Sequence, residues 1–394
     1  MGRGCDSVRG MWLGALLAIV AVAASARADV STERPGSIVI FPKVIASGTR
    51  DTIIQISNTS NSMVHAHCFY VDAALQDPTR PLAQDNLPLC IETDFDIWLT
   101  KQQPTHWIAS IGRGVNPVDP GCTSTNQKCS DAGIDPSRVP PLAPDFVGEL
   151  RCIEVDSSGA PISGNHLKGE ATIVVTTALT APINDLTTPP VPLAADPVDS
   201  GDASKYNALT ITGLDSNDAD LTLCLGGGVT PECPRGAEYD ACPQTTILDD
   251  FSSGANNPQL QTAATTSTVN TELTVVPCTA RYETQTPSVV TVQFSITNEF
   301  EETFSASTTT TCWGNYELSQ INRIFTIGFV GSRFLQTRMG PATNDYPGIV
   351  TVAEEFHHLT QNAGGAVRTG RAAFNLHAVG TRPVSDVITI PEGP

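Results

Sequence analysis

The chain has 394 residues, and its 22 basic and 41 acidic side chains give a net charge of −19. This charge repels phosphate backbones and anionic lipids, so the composition argues against nucleic-acid binding. The length exceeds what one hydrophobic core usually holds, so we expect two or three domains.

Residues 1–28 predict a secretory signal peptide. Arg3 and Arg9 form a short basic region, and the run Met11–Ala24 is almost wholly apolar. This run is shorter than the roughly 20 residues that a membrane-spanning helix needs. Ala26 and Ala28 are small residues at the positions that signal peptidase recognises. We therefore expect cleavage before Asp29 and no membrane span afterwards. The sequence therefore predicts a periplasmic or extracellular protein, with a retained anchor as the alternative.

The cysteines predict disulfides. Removing Cys5 with the signal leaves an even number of the 11 cysteines, and disulfides form in the oxidising compartments of exported proteins. Buried free thiols are the alternative. We expect a bridge between Cys278 and Cys312, which alone follow Pro277, and a small loop closed by Cys122 and Cys129. Six cysteines stay unassigned, without the Cys-x-x-Cys spacing of a zinc site: Cys68, Cys90, Cys152, Cys224, Cys233 and Cys242.

Short runs of Val, Ile, Thr and Phe, broken by Gly, Pro, Asn and Asp, predict an all-β fold. In chain order, Ile54 and Ile56 share one face of a strand, and Val64–Tyr70 follows with a second apolar face. The clearest alternation covers Val290–Ile296, where apolar and polar residues take turns. Such alternation is typical of antiparallel strands with one buried side.

Five segments recur in the same order and predict an internal duplication, against the alternative of chance matches between β-rich segments. The gap between the third and fourth segments is longer in the first copy, which predicts an insertion near 75–143. The matched pairs are Ser37–Pro42 with Glu272–Pro277, Ile54–Asn58 with Phe294–Asn298, Cys68–Phe69 with Cys312–Trp313, Gly148–Glu154 with Gly348–Glu354, and Gly169–Ile173 with Gly370–Phe374.

We therefore predict two related antiparallel β-sandwiches with disulfides. The first covers 29–179, a Pro-rich linker covers 180–204, and the second covers 205–394 with a Cys-rich N-terminal segment. Whether 205–277 is a separate unit stays open.

The strand order resembles bacterial immunoglobulin-like or fibronectin-like modules. Trp313 directly follows Cys312, and the Cys…Trp…Cys spacing of antibody domains is absent. The resemblance therefore implies the architecture alone. The whole chain also resembles uncharacterised exported proteins of Gram-negative bacteria, and that resemblance implies no activity.

The segment Glu354–His358 (Glu-Glu-Phe-His-His) is the densest group of titratable residues. It could serve acid–base chemistry or a metal, but it is not the His-Glu-x-x-His motif of metalloproteases. It follows a duplicated strand, so we expect a solvated hairpin tip.

Three further groups have a structural interpretation that we prefer. His65 and His67 share a strand face and could bind a metal, but surface or interface histidines are expected. Asp215–Asp220 alternates oxygen ligands like a calcium loop but lacks the distal Glu, which favours a turn. Gly226–Gly228 reads as a flexible turn, because no lysine or helix follows it. We therefore predict no metal and no cofactor.

No motif of a nucleophilic enzyme is present, so we expect a non-enzymatic structural or interaction protein with a protein or glycan partner. Its specificity is expected in the loops near 75–143 and 226–260. One alternative is a carbohydrate-binding module, and a second is a secreted hydrolase that uses Glu354–His358. The aromatic candidates for the sugar-binding alternative are Trp98, Trp107, Trp313 and Tyr316.

Overall fold

The computed structural model describes residues 30–80, 86–114, 137–175, 203–214, 220–361 and 368–391. The predicted signal peptide, the Cys122–Cys129 pair, most of the predicted linker and residues 215–219 lie outside this part of the chain. Across the described residues, no helix is long and apolar enough to cross a membrane.

The fold is all-β and antiparallel almost throughout, which confirms the predicted class. Short helical turns interrupt the strands only at α1 (Leu318–Ile321), a 3-10 turn (Arg323–Phe325) and α2 (Ile327–Val330) within the described residues. The described strands are β1 (Val30–Ser31), β2 (Ile38–Ala46), β3 (Arg50–Asn58), β4 (Val64–Asp72), β5 (Ile91–Leu99), β6 (Pro104–Ile108), β7 (Phe146–Val155), β8 (Leu167–Val175), β9 (Ala203–Asn207), β10 (Leu209–Ile211), β11 (Thr222–Leu225), β12 (Pro243–Phe251), β13 (Thr265–Pro277), β14 (Ala280–Arg281), β15 (Val289–Asn298), β16 (Thr303–Thr311), β17 (Gly314–Glu317), β18 (Phe334–Pro341), β19 (Ile349–Gln361), β20 (Arg368–Asn375), β21 (His377–Thr381) and β22 (Asp386–Thr389).

The first half folds one continuous sheet over itself. β2 pairs with β3 only where Ala46 meets Asp51. The sheet bends at this point and forms two layers. One layer has the strand order β5-β4-β7-β2, and the other has the order β6-β3-β8-β9. Residues of both layers meet in one apolar core, so this half is a β-sandwich. Pro42 lies at a register shift between Phe41 and Val44, as expected for a residue that cannot donate to a ladder.

The second half is a sandwich of two separate sheets. The order β16-β15-β18-β12-β21 forms one layer, and β17-β13-β19-β20 forms the other. Residues of both layers share an apolar core. The predicted alternation of Val290–Ile296 is confirmed, because the four apolar side chains of this run are fully buried and face that core.

A third apolar core joins the two halves. The outer face of the β4-β7-β2 row packs there against a small sheet of β11, β22 and β14 and against the second half. Strands β2, β4 and β7 are consequently buried on both faces. The shared core includes Ile38, Ile40, Phe69, Ile153, Leu209, Leu223, Tyr239, Val276, Tyr282, Trp313, Val350 and Ile388.

These pairings bear on three points of the predicted domain organisation, one of which the sequence leaves open. Strands β9 and β10, assigned by sequence to the second domain, pair with β8 and β2 of the first half. The segment 205–277 is not a separate unit, because β11 pairs with β22 and β12 belongs to the second sandwich. The predicted insertion near 75–143 supplies β5 and β6, which are ordinary strands of the first half.

The predicted duplication agrees with the strand pairing at one place and departs from it at two. β2 pairs with β7, as the matched β13 pairs with β19. However, β4 pairs with β7 whereas the matched β16 forms a hairpin with β15. Likewise, β8 pairs with β3 whereas β20 pairs with β19. Short apolar strands resemble one another regardless of their partners, so sequence matching alone cannot report pairing.

The predicted Cys278–Cys312 bridge is wrong. Cys278 pairs with Cys242, and Cys312 pairs with Cys90 of the first half. The expectation assumed that each half closes its own bridge, whereas the shared core brings distant segments together. The two other bridges join Cys68 to Cys152, across the β4–β7 pair, and Cys224 to Cys233.

Candidate functional site

The segment Glu354–His358 is the middle of strand β19 and not a hairpin tip, which corrects the sequence expectation. Its residues pair with β13 on one side and β20 on the other. Successive side chains of a strand point to opposite faces. Glu354 and His358 therefore lie on one side of the sheet, while Glu355 and His357 lie on the side that faces β12.

Glu354 belongs to a buried group of charges between the two halves. Its Oε2 lies 2.8 Å from Lys43 Nζ, and Lys43 Nζ lies 2.7 Å from Glu272 Oε2. Arg50 Nη2 donates to Glu354 Oε2 at 2.7 Å, and Ser204 Oγ donates to Oε1 at 2.7 Å. Burial alone raises a carboxyl pKa, but Lys43 and Arg50 outweigh it and lower the pKa of Glu354 to about 2.

A second buried charge, Arg151, also connects the halves. Its Nη2 lies 3.0 Å from Glu149 Oε2 and donates to Pro277 O at 3.1 Å, while its Nη1 donates to Cys278 O at 2.8 Å. The guanidinium carbon lies 5.9 Å from the ring centroid of Tyr282. Burial raises the pKa of Glu149 although Arg151 opposes that shift. The guanidinium thus donates to two backbone carbonyls at the end of β13.

His65 and His67 form separate hydrogen bonds on the outer face of β4. His65 Nε2 lies 2.9 Å from Asp96 Oδ1, and its ring stacks on Trp98 with centroids 3.8 Å apart. His67 Nε2 lies 3.0 Å from Asp94 Oδ2. Each imidazole has its own carboxylate partner on β5, so the two rings do not converge on a shared metal position.

The inward side of β19 carries a different polar group. Glu355 Oε1 is hydrogen-bonded to His357 Nε2, and the His357 ring meets Phe251 edge-on at 6.0 Å. Asp250 of β12 is only 3% exposed. Thr337 Oγ1 donates to Asp250 Oδ1 at 3.1 Å, but Oδ2 has no hydrogen-bond partner among the described residues. Burial, with Glu355 and Asp249 adding to it, raises the pKa of Asp250 well above its usual range.

A cavity of about 650 Å³ opens beside this group at one end of the second sandwich. No Lys or Arg lines it, and Phe334 is 45% exposed at its rim, where its ring packs 4.6 Å from that of Phe251. Gln336 Nε2 donates to Asp249 Oδ1 at 3.2 Å on its solvent side. The lining residues are Asp249, Asp250, Phe251, Thr297, Asn298, Glu299, Phe334, Leu335, Gln336 and Glu355. We call this space the end cavity.

The junction has a smaller cavity of about 40 Å³, beside the Cys90–Cys312 bridge. Burial, together with the neighbouring Asp94, raises the pKa of Glu92 at its wall to about 8. Cys90 and Cys312 both have a positive φ, at 52° and 49°, a conformation that side-chain-bearing residues rarely adopt. The space admits little more than a water molecule, so we regard it as part of the junction.

One group of described residues gathers three potential metal-ligand atoms, namely Cys242, Cys278 and Asp386. The two sulfurs form a disulfide and offer no thiolate, so this group is not a metal centre. The chain bends at Gly226 and Gly227, which have the positive φ that glycine adopts without strain.

The aromatic residues proposed from sequence for sugar binding are largely buried. Trp107 Nε1 donates to Tyr70 Oη, and Trp313 Nε1 donates to Pro42 O, both at 2.6 Å. Trp98 stacks on His65, and Tyr316 is partly covered. The exposed aromatic rings lie elsewhere, notably Phe334 at the end cavity and Phe300 at a hairpin tip.

Sequence reasoning missed Asp250, Lys43 and Phe334. Asp250 stands inside the run Leu248–Phe251, where a polar residue interrupts the inward side of an apolar strand. That interruption was a usable signal. Lys43 gave no comparable signal, because its partners are more than 200 residues away in the chain.

Comparison of the chain with protein-family models found no match, and comparison with curated proteins found none either.

Proposed function

We propose that this chain is an exported, non-enzymatic interaction protein that presents its sandwich ends and loops to a protein or glycan partner. The observation that carries this proposal is the junction. There, a shared apolar core, buried ion pairs and a disulfide join two sandwiches. Such a junction favours a rigid scaffold over two domains that move against each other around a catalytic cleft.

The contacts of Glu354–His358, the segment with the densest titratable residues, support the same proposal. Glu354 is held by Lys43 and Arg50, and His358 Nδ1 pairs with Thr369 Oγ1 at 3.1 Å. Glu355 lines the end cavity, and His357 is hydrogen-bonded to it. The four described disulfides support an oxidising compartment, because such bridges persist mainly outside the cytoplasm.

The localisation half of the proposal is tested by expressing the full chain in a Gram-negative host and fractionating the cells. We expect the protein in the periplasm or medium, starting at Asp29, with the four bridges recovered by non-reducing peptide mass spectrometry. Recovery from the cytoplasm with reduced thiols would overturn it.

The non-enzymatic half is tested by assaying the purified protein against ester, glycoside and peptide substrates. We expect no turnover. Turnover that disappears in Glu355→Gln and His357→Ala, but persists in His377→Ala at an exposed position of β21, would establish the hydrolase alternative instead.

Glycan binding at the end cavity is the second candidate function. An exposed phenyl ring beside planar carboxylate and amide groups, as at Phe334, Asp249 and Gln336, suits the alternating apolar and hydroxyl faces of a sugar. On a glycan array, we expect any signal to fall at least about tenfold in Phe334→Ala. Phe300→Ala, which removes an exposed ring outside the cavity, is the matched control. Equal loss in both variants would reject this candidate.

A further inference from the structure

Strand β16 is an edge strand without the features that normally protect one. It pairs with β15 on one side, and no described strand pairs with its other side. Its sequence, Thr-Phe-Ser-Ala-Ser-Thr-Thr-Thr-Thr, contains neither charge nor proline. Exposed edges are templates for pairing with another chain, and proteins usually block them with charges, proline, bulges or short length.

The other edge strands of the described sheets are either very short, as β1, β11 and β14 are, or protected. β5 carries Glu92, Asp94 and Asp96. β6 is short and begins with a proline, and β17 has only four residues. β9 and β20 lie side by side, where Asn375 bonds both backbone groups of Asn207. β21 is short and contains a glycine with positive φ.

The backbone direction of β16 identifies the groups that are available. Asn298 N–H donates to Glu302 O at 3.1 Å, and Cys312 N–H donates to Ser288 O at 2.7 Å. The backbone N–H and C=O groups of the even-numbered residues therefore point toward β15. The register stays constant along the whole pair. Because the direction of these backbone groups alternates along a strand, the N–H and C=O groups of the odd-numbered residues point away from β15, toward the open edge. The Thr309 carbonyl already accepts from Tyr316 Oη at 3.3 Å, and the Thr311 carbonyl accepts from Trp313 N–H at 2.6 Å, which leaves Thr303, Ser305 and Ser307.

We propose that β16 pairs with β16 of a second copy of this chain, antiparallel about a two-fold axis at Ser305. In this register Ser305 meets its own copy, and Thr303 meets Ser307 on both sides of the axis. Each of these three pairs exchanges two backbone hydrogen bonds, about six in all. The two five-stranded layers then form one continuous sheet across the dimer.

A second copy fits this edge because the strand is self-complementary: in the proposed register Ser and Thr meet Ser and Thr, and no like charges of β16 face each other. Two copies with a net charge of −19 each repel one another, so a self-contact requires an uncharged patch. The odd-numbered residues of β16 are Thr and Ser. The residues of β15 beside them on the same face of the sheet are Thr291, Gln293, Ser295 and Thr297. This dimer is independent of the proposed ligand function, because the end cavity is not needed for it.

Cross-linking through Ser305→Cys in the otherwise unchanged mature protein tests the register. The two Cα atoms would lie about 5.5 Å apart, within disulfide range, so we expect an oxidised covalent dimer. Ser295→Cys is the matched control, because Ser295 pairs with Ser305 on the same exposed face, one strand inward. Its two copies would be three strand spacings apart, about 14 Å, and should not cross-link. Equal cross-linking of both variants, or of neither, would overturn the proposal.

Sedimentation tests the same edge without cysteines. We expect the wild-type protein to form a dimer with a dissociation constant of about 100 μM or lower. Ser305→Lys should raise the dimer dissociation constant at least about tenfold, because it places two like charges opposite each other. Ser295→Lys should leave it unchanged. A wild-type protein that stays wholly monomeric at about 100 μM, or a dimer that tolerates Ser305→Lys, would contradict the proposal.

Discussion

The junction between the halves and the end cavity of the second sandwich both contain buried carboxylates, but these have opposite environments. At the junction, Glu354 meets Lys43, Arg50 and Ser204. At the end cavity, Asp250 has one hydrogen bond to Thr337 and one oxygen without a partner among the described residues. The pKa of Glu354 is lowered to about 2, whereas that of Asp250 is raised well above its usual range.

This contrast teaches how to read a cluster of titratable residues. Glu354 lies in the densest such segment of the sequence, yet its satisfied contacts make it a structural residue. Asp250 stands among apolar neighbours and is the less satisfied group. Unpaired buried polar groups are uncommon, so incomplete pairing is the better pointer to a binding role.

The bridge that joins the halves provides the strongest test of the junction. Replacing Cys90 and Cys312 by Ser opens a loop of 222 residues, whereas replacing Cys224 and Cys233 opens one of 9. The entropy of the unfolded chain then predicts a loss of unfolding free energy of about 5 kcal/mol for the first pair and about half of that for the second. Equilibrium denaturation would measure both. Equal losses of unfolding free energy would mean that the Cys90–Cys312 bridge stabilises the fold no more than a bridge within a short loop does.

Lys43→Met tests the buried ion pairs. The variant leaves Glu272 and Glu354 close together without their shared cation, and breaking such a buried pair costs about 4 kcal/mol. Lys205→Met, which removes the exposed pair with Glu170, should cost below about 1 kcal/mol. Denaturant titration at pH 7 compares the two. Similar small costs in both variants would show that the junction charges are not structurally important.

The pH dependence of Glu354→Gln sharpens the comparison. The pKa of Glu354 in the folded protein is below its ordinary value of 4.5, so its carboxylate stabilises the fold above that pH. The stabilisation is lost as the pH falls from about 4.5 to about 2. The free-energy gap between wild type and variant should therefore be about 3 kcal/mol at neutral pH and shrink over this window. A gap that does not change with pH would contradict the ion-pair assignment.

Asp250→Asn should have the smallest effect, with the opposite sign. The folded pKa is raised, so the favourable contribution is present below the unfolded value of 3.8 and is lost as the pH rises above it. At neutral pH the variant should exceed the wild type in stability by about 1 kcal/mol or more, because each unit of raised pKa costs the wild type about 1.4 kcal/mol there. Thermal melts at pH 4 and pH 7 measure this. A marked destabilisation at pH 7 would mean that Asp250 is a satisfied structural residue.

The sequence could predict the features that depend on local patterns. Alternation identified the buried face of β15, and the cysteine content indicated disulfides. Partner choice depends on contacts between residues far apart in the chain. Nothing near Cys278 in sequence indicates Cys242, and nothing near Glu354 indicates Lys43. The matched segments therefore coincide with strands, except for Cys312–Trp313 between β16 and β17, but share only one pairing between the halves.

The position of β22 has a consequence for how the molecule is made. This strand lies between β11 and β14, so it is the central strand of the small sheet although all other described strands precede it in sequence. During synthesis from the N-terminus, the shared core stays incomplete until Asp386–Thr389 emerge. Until then, earlier segments keep apolar surface uncovered, which makes a chaperone useful during that interval.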